Sequence, residues 1–470
     1  MGVGRAIPGE IAVPSKAFLI AMCASGLAIS SPAHAGALSD AIGAPDALSI
    51  SGSIRARVEA IDGQFRPTGP INDAMISLRT DLLAEYDAGP VRFGGEVQDA
   101  RAYEHAANST AGTTEVNALE LVQAYARLEL GDQSKGAKGS HGLLTAGRFT
   151  MDVGSRRLIA RNRFRNTTNA FTGVQMDWTS AGGIRAQAFW TMPQIRRPDD
   201  ALGIANNRVK WDLETTGVQF FGGDVTVPRV AGGSAEAYVF RLAERDGDNR
   251  ATRNRRLWTV GGRLFAKPQP GRWDHDVEGA YQFGTARRTT GGADLTDLDV
   301  SAWLAHGEAG YTFAKGWKPR VSAVFDAASG DSGRAGHYGR FDTLFGARRS
   351  EFGPTALFGA LTRANIVSPG VRVEATPSKR LDLMAMYRAL WLEDRHDSFA
   401  NTAVKDASGQ SGLFAGHQAE ARVRYWLVPG VLQSEVGGAV LFRQGVLVDA
   451  PNARPAGNTS YGYFDLTLNF

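Results

Sequence analysis

Apart from its N-terminus, the chain has no apolar run approaching the ~20 residues a membrane-spanning helix needs. It also has a single cysteine, Cys23. That shortage excludes a disulfide framework and thiol chemistry. A lipidated cysteine would need a small residue before it, and Met22 is too large. Neither sign of charge dominates: 52 Lys and Arg face 48 Asp and Glu, a net +4 that is too small to point to nucleic acid. The eight histidines have no metal-ligand spacing such as His-Glu-x-x-His, and no serine sits in a nucleophile elbow. We therefore expect no enzyme, no metal and no cofactor. Glycine, by contrast, is abundant at 56 of 470 residues, and the mean hydropathy is slightly negative at −0.22. A helical membrane protein cannot look like this. A transmembrane barrel can, because only alternate residues face lipid.

The N-terminus has the form of an export signal. Lys16 precedes the apolar stretch 17–29, and Ala33-His34-Ala35 gives a small-x-small cleavage pattern before Gly36. This predicts a signal peptide over 1–35, a short periplasmic segment over 36–47 and a barrel domain over 48–470. Outer-membrane lipid, lipopolysaccharide and, during insertion, the barrel-assembly machinery are the partners expected of such a chain, which we read as a monomer.

From about residue 48 the sequence alternates with period two in about eighteen segments of strand length. Ile54, Ala56 and Val58 share one face, and Arg55, Arg57 and Glu59 the other. Leu383, Ala385, Tyr387 and Ala389 oppose Asp382 and Arg388 in the same way. Tight turns at 87–90, 180–183, 376–379 and 428–430 alternate with long polar loops at about 61–75, 103–117, 151–169, 194–213, 285–299, 329–364, 394–413 and 444–459. Two of the short-side connections, about 131–141 and 225–234, read as longer. The fold expected is all-β: an antiparallel up-and-down barrel with short periplasmic turns and long extracellular loops, in a bacterial outer membrane. The last strand ends on Phe470, like the signal read by the barrel-assembly machinery. Trp178, Trp190, Trp273, Trp303, Trp317, Trp391 and Trp426 fall near strand ends, where amphipathic rings favour the membrane interface.

Opposite the apolar stripes, arginine recurs at 55, 57, 79, 92, 127, 148, 185, 241, 263, 320, 372, 388, 422 and 424. A lipid-facing arginine costs ~2–4 kcal/mol at the bilayer midplane, so all are expected to point inward. Acidic residues share these faces, among them Asp81, Glu278, Asp326 and Glu435. Two readings stand side by side: ion-pair ladders that cross-link the wall, and an electropositive conduit selective for anions. The candidate pore-lining set is Arg55, Arg79, Arg127, Arg148, Arg157, Arg163, Arg165, Arg185, Arg388, Arg422 and Arg424.

The densest cluster lies in 147–166, with six arginines against one aspartate, at an extracellular mouth. It could grip lipopolysaccharide phosphates or set selectivity inside the pore. Within it, Gly147-Arg148, Gly154, Arg157-Leu158, Arg163, Arg165-Asn166 and Phe171-x-Gly173 resemble the alginate export family of outer-membrane porins. Phe341, Asp342, Leu344 and Phe345, with the Gly353 region after them, resemble that family's long loop. The chain departs from the pattern at Phe149, where glutamine is common, and at Thr172, where aspartate is common. The resemblance implies an eighteen-stranded barrel and passive passage of a polyuronate along an arginine-lined channel. It carries over only Arg148, Arg157, Arg163 and Arg165 by motif. The alternatives are a nutrient porin for small anions or sugar acids, and a barrel-anchored binding or structural protein with a plugged lumen.

Overall fold

The computed structural model describes residues 38–39, 42–131, 139–247 and 250–470, so the expected signal peptide lies outside the described residues. Every predicted alternating segment becomes a strand of one closed antiparallel barrel. Its first strands are β1 (Leu48–Asp62), β2 (Asp73–Asp87), β3 (Val91–Tyr103), β4 (Asn117–Gly131), β5 (His141–Phe149) and β6 (Phe171–Thr179). They continue as β7 (Arg185–Pro193), β8 (Val218–Val230), β9 (Gly233–Glu244), β10 (Arg256–Ala266), β11 (Arg272–Ala286), β12 (Leu298–Thr312) and β13 (Arg320–Ala328). A two-residue strand, β14 (His337–Tyr338), lies parallel to β12 within a loop and is not part of the wall. β15 (Ile366–Ser378), which pairs directly with β13, β16 (Leu381–Trp391), β17 (Phe414–Val428), β18 (Leu432–Arg443) and β19 (Thr459–Asn469) complete the eighteen wall strands.

Closure joins the last strand to the first, with Ile54 opposite Leu468 and Val58 opposite Phe464. The Gly52 N–H donates to the Phe470 carbonyl at 2.8 Å, and a side chain at Gly52 would collide with the Phe470 ring. Closure removes the unpaired edges that lipid would not tolerate. The period-two pattern is inverted relative to a soluble protein. Ile54 and Val58 are 45% and 43% exposed, whereas Arg57 and Glu59 between and beside them are 1% exposed.

The connection after β8 is shorter than expected. Strand pairing runs on to Val230 and Gly233, leaving only Ala231 and Gly232, both at positive φ (48° and 75°). This is the two-residue geometry that suits the right-handed twist of a hairpin. A further long connection, 245–255 between β9 and β10, completes the extracellular set. Trp426 differs from the expected interfacial role, since it lines the bore next to Gln433.

β5, β6 and β7 are short, at nine residues each. The loop 194–217 fills the wall above them. Asn207 pairs its side-chain amide with both the N–H and the carbonyl of Ala102, each at 2.8 Å, and Val209 bridges to Ala118. The free upper edges of β3 and β4 are thereby satisfied.

Candidate functional site

Two long loops fold into the bore and join. The loop after β5 (150–170) meets the loop after β13 (329–365) as a short ribbon, parallel at the Ile159–Phe345 bridge. Phe345 N–H donates to the Leu158 carbonyl (2.9 Å), Ala160 N–H to the Phe345 carbonyl (3.1 Å) and Ala347 N–H to the Arg156 carbonyl (3.0 Å). Phe345 wedges the ribbon against an aromatic cluster on β6–β9, with ring centroids 5.0 Å from Phe220 and 5.3 Å from Phe171. On the far side Phe164 packs edge-on against Tyr463 of β19 at 5.2 Å, under the Arg57 guanidinium at 3.8 Å. The ribbon therefore spans the lumen from one wall to the other.

Wall arginines hold it there. Arg55 donates to the carbonyls of Arg163, Phe164 and Arg165 at 2.8, 3.1 and 3.0 Å, and Arg79 donates to those of Arg163 and Arg165. These side chains do the work of a partner strand, satisfying backbone acceptors that would otherwise be orphaned.

Four of the wall arginines are also neutralised, while Arg55 is held by carbonyls alone. Arg57 pairs with Asp465, Arg79 with Asp81, Arg422 with Asp382 and Arg424 with Glu435, all at 2.5–2.8 Å. Arg127 lies over Tyr125, 3.8 Å from Glu85. Arg185 is exposed and lines a separate cavity beside Asp177, Asp224 and Glu236. Ion-pair ladders thus account for most of the wall.

Two candidates are placed out of reach of the bore. Arg157 is almost fully buried in an acidic clamp of Glu278 (2.5 Å), Glu351 (2.7 Å) and Asp276 (3.1 Å). Arg388 is buried against Asp326 at 2.8 Å and donates to the Glu351 carbonyl. Both fasten the ribbon to the wall.

Arg148 and Arg241 differ from the inward orientation expected. Arg148 alternates with Leu144 and Ala146, which face outward, and pairs in register with Thr172, which alternates with the exposed Val174. It is held by Glu120 at 2.9 Å and Glu214 at 3.2 Å, where the loop 194–217 meets the wall. Arg241 alternates with the exposed Val239 and lies over the Trp258 ring. Both sit at extracellular strand ends, where the cost of a lipid-side arginine falls to ~0–1 kcal/mol. Because Arg148 faces out and is doubly paired, Arg148→Gln is expected to leave ion selectivity unchanged in planar bilayers. A shift comparable to that of a bore arginine would contradict this placement.

Three ribbon arginines carry little or no counter-charge. Arg163 is 72% exposed, with only a 3.7 Å approach to Asp152. The Arg165 guanidinium has no hydrogen-bonding or ionic partner among the described residues, and that of Arg348 makes one long contact, 3.4 Å to the Leu361 carbonyl. Burial, with Arg348 and Arg196 nearby, lowers the Arg165 guanidinium to about 9, and burial with Arg363 and Arg66 lowers Arg348 to about 10. Both remain charged at neutral pH, so the repulsion among them favours an anion.

The ribbon presents arginines to both of its sides, with the neighbours Arg348 and Arg349 lining different cavities. Arg163 enters a periplasmic-side cavity of about 520 Å³ lined also by Arg79, Arg156, Arg349, Arg422 and Arg424, with Glu435 and Asp465 as its acids. Arg165 enters extracellular cavities of about 330 and 410 Å³; Arg253, Arg340 and Arg348 share the first and Arg196 the second. Arg348 and Arg349 were not among the expected residues. Their signal was in the sequence, as two arginines three residues after Phe345 with no acid before Glu351.

Among the described residues, one group has metal-ligand proximity: His306, Asp326 and Glu351 bring ligand atoms within 4.8 Å of one another. Its carboxylates are already taken by Arg388, Arg157 and Arg363. A cation there would meet three guanidiniums, so the donor set does not suit one.

Among solved structures, the chain resembles Pseudomonas aeruginosa OccK8 (OprE) with a TM-score of 0.56 and 11% identity, over 90% of this chain and 98% of that one. It resembles P. aeruginosa OccK11 (OpdR) at 0.53 and 13%, covering 90% and 96% of the two chains. It resembles P. aeruginosa OpdK, solved with vanillate, at 0.53 and 13%, covering 90% and 98%. These likenesses concern the fold, that of an outer-membrane channel. No curated protein matches the sequence. The family described as alginate export matches residues 46–458, from the first wall strand to the last extracellular loop. With the closed eighteen-stranded wall and the ribbon across its bore, that match makes the chain a member of the alginate export family of the bacterial outer membrane.

Proposed function

We propose that this channel passes an anionic polysaccharide or oligosaccharide, of the polyuronate type, passively past the ribbon arginines. The observation that carries this reading is the contrast between the closely paired wall arginines Arg79, Arg422 and Arg424 and the weakly held guanidiniums of Arg163, Arg165 and Arg348, which face both sides of the constriction. A chain bearing a carboxylate on each sugar can exchange one guanidinium for the next, so no single site holds it tightly. Binding that is favourable but shared among several sites is what conduction requires. Arg79, Arg422 and Arg424 line the periplasmic approach, and their acids keep that approach from becoming a trap. Arg55 positions the ribbon rather than contacting the substrate. A passive pore has no direction of its own; the gradient supplies it.

The test is single-channel current in planar bilayers with polyuronate oligomers and neutral oligosaccharides of equal length. Polyuronate is expected to interrupt the current, and neutral chains are not. Absence of any open-channel current would sink the transport reading altogether. A second reading, uptake of small sugar acids, is favoured by the division of the bore into cavities of about 330–520 Å³ and by the vanillate seen with OpdK. It predicts block by monomeric uronates and none by oligomers.

A further inference from the structure

The outward displacement of Arg241 exposes a site unrelated to the bore. On β9 the outward row reads Val239, Arg241, Ala243, continued by Arg245 beside Gly217 at the top of β8. On β10 it reads Arg256, Trp258, Val260, with Arg256 directly opposite Ala243 and Trp258 opposite Arg241. Arg256 therefore sits diagonally between Arg241 and Arg245, at the ~7–8 Å spacing of diagonal neighbours in a sheet. Three guanidiniums share one outward patch.

Among the described residues, nothing on that face neutralises them. The register gives their outward neighbours as Phe221, Gln219 and Thr285, all uncharged. Among the described residues, the outward acid on the neighbouring strands, Asp299, lies opposite Thr285 on β12, two strands from Arg256. Asp246 is already paired with Arg287 at 2.6 Å, and Glu244 faces inward to Arg255. None of the three has an ion-pair partner among the described residues.

Their depth is set by what lies beneath. Val239 and Val260 are exposed lipid-facing residues. Trp258 meets Phe221 edge-on at 6.2 Å, and the Arg241 guanidinium lies 4.9 Å from the centre of the indole. Aromatic rings of this kind mark the interface, and the arginines begin one outward step above the valines, or ~7 Å along the strand. That is the level of the headgroups, on the side of the long loops.

We propose that Arg241, Arg245 and Arg256 bind the phosphates of a lipopolysaccharide molecule in the outer leaflet. A diphosphorylated sugar headgroup offers two dianions at fixed separation to three cations. An ordinary phospholipid offers one anion and leaves the patch partly unpaired. The guanidinium fork suits phosphate, and Trp258 keeps the Arg241 plane oriented toward it. The patch is independent of whatever passes through the lumen.

The experiment uses the full chain in detergent, with diphosphorylated lipid A, dephosphorylated lipid A and phosphatidylglycerol as probes. Diphosphorylated lipid A is expected to bind best. R241Q/R245Q/R256Q should weaken it by about tenfold or more, the equivalent of losing one charge-assisted hydrogen bond. The triple lysine variant keeps the charge and should retain most of the affinity. Folding is checked by unchanged single-channel conductance. Should the triple glutamine variant not fold, Arg256→Gln alone is expected to weaken binding by about threefold, as loss of one exposed cation would. Equal binding of the dephosphorylated lipid or of phosphatidylglycerol would overturn the proposal. Undiminished binding to a folded glutamine variant would do the same.

Discussion

Replacing Arg163, Arg165 and Arg348 together by glutamine is expected to lower anion permeability by about fivefold at ~0.1 M salt. The size follows from Coulomb's law. A guanidinium ~7 Å from a passing ion contributes ~0.6 kcal/mol in a water-like medium, and screening over that distance halves it. Three such charges then amount to ~0.9 kcal/mol, or a factor of about five. Wall arginines contribute far less, because Asp81, Asp382 and Glu435 stand within 2.8 Å of Arg79, Arg422 and Arg424. The measurement is the reversal potential across a salt gradient, with Arg422→Gln as comparison. If Arg422→Gln shifts it as much as the triple variant, the division into neutralised wall and free ribbon is wrong. Raising the salt should shrink the effect, since the Debye length falls to ~3 Å at 1 M.

The wall was legible because a barrel writes its geometry into every second residue. Ile54 and Val58 against Arg55 and Arg57 set the register of β1 without further information. Arg148 and Arg241 were misplaced for a physical reason. The inward argument uses the midplane cost of a lipid-facing arginine, and that cost vanishes at the rim where both reside. Their own stripes, Leu144 and Ala146 for one and Val239 for the other, carried the right answer.

The ribbon was legible only in part. Its arginine density was visible in 147–166, but not which guanidiniums would be consumed in holding it. Arg157 and Arg163 look alike in the sequence. One meets Glu278 and Glu351, brought from β11 and from a loop 194 positions on, and the other meets the open cavity. Pairings over such separations have no local signature, whereas alternation does.

The largest effect is expected from Glu351→Gln. Glu351 belongs to the one-turn helix Arg349–Phe352, and its carboxylate lies 2.7 Å from the Arg157 Nε in an ion pair and accepts from the Arg363 guanidinium. Arg157 keeps Asp276 and Glu278 when that charge is removed. Arg363, only 1% exposed, keeps two carbonyl acceptors and no acid. A buried cation left without its counter-charge costs ~3–5 kcal/mol. The wall strands do not depend on this pair, so the cost falls on the docking of the ribbon. Conductance is therefore expected to rise, with frequent switching between levels, and the loops to become cleavable by added protease while the barrel keeps its thermal transition. Although burial opposes it, the Arg157 and Arg363 charges hold the Glu351 carboxyl well below the ordinary glutamate range. Its contribution is thus complete above the ordinary value of ~4.3 and is lost only as pH falls well below it, so mild acid should not mimic the variant. Combining Glu351→Gln with Arg363→Met removes the stranded charge along with its partner. That double variant should recover much of the native conductance, because a buried pair replaced whole costs far less than one broken in half. If it stays as leaky as Glu351→Gln alone, the carboxylate matters through Arg157, and the clamp on that side is what closes the bore.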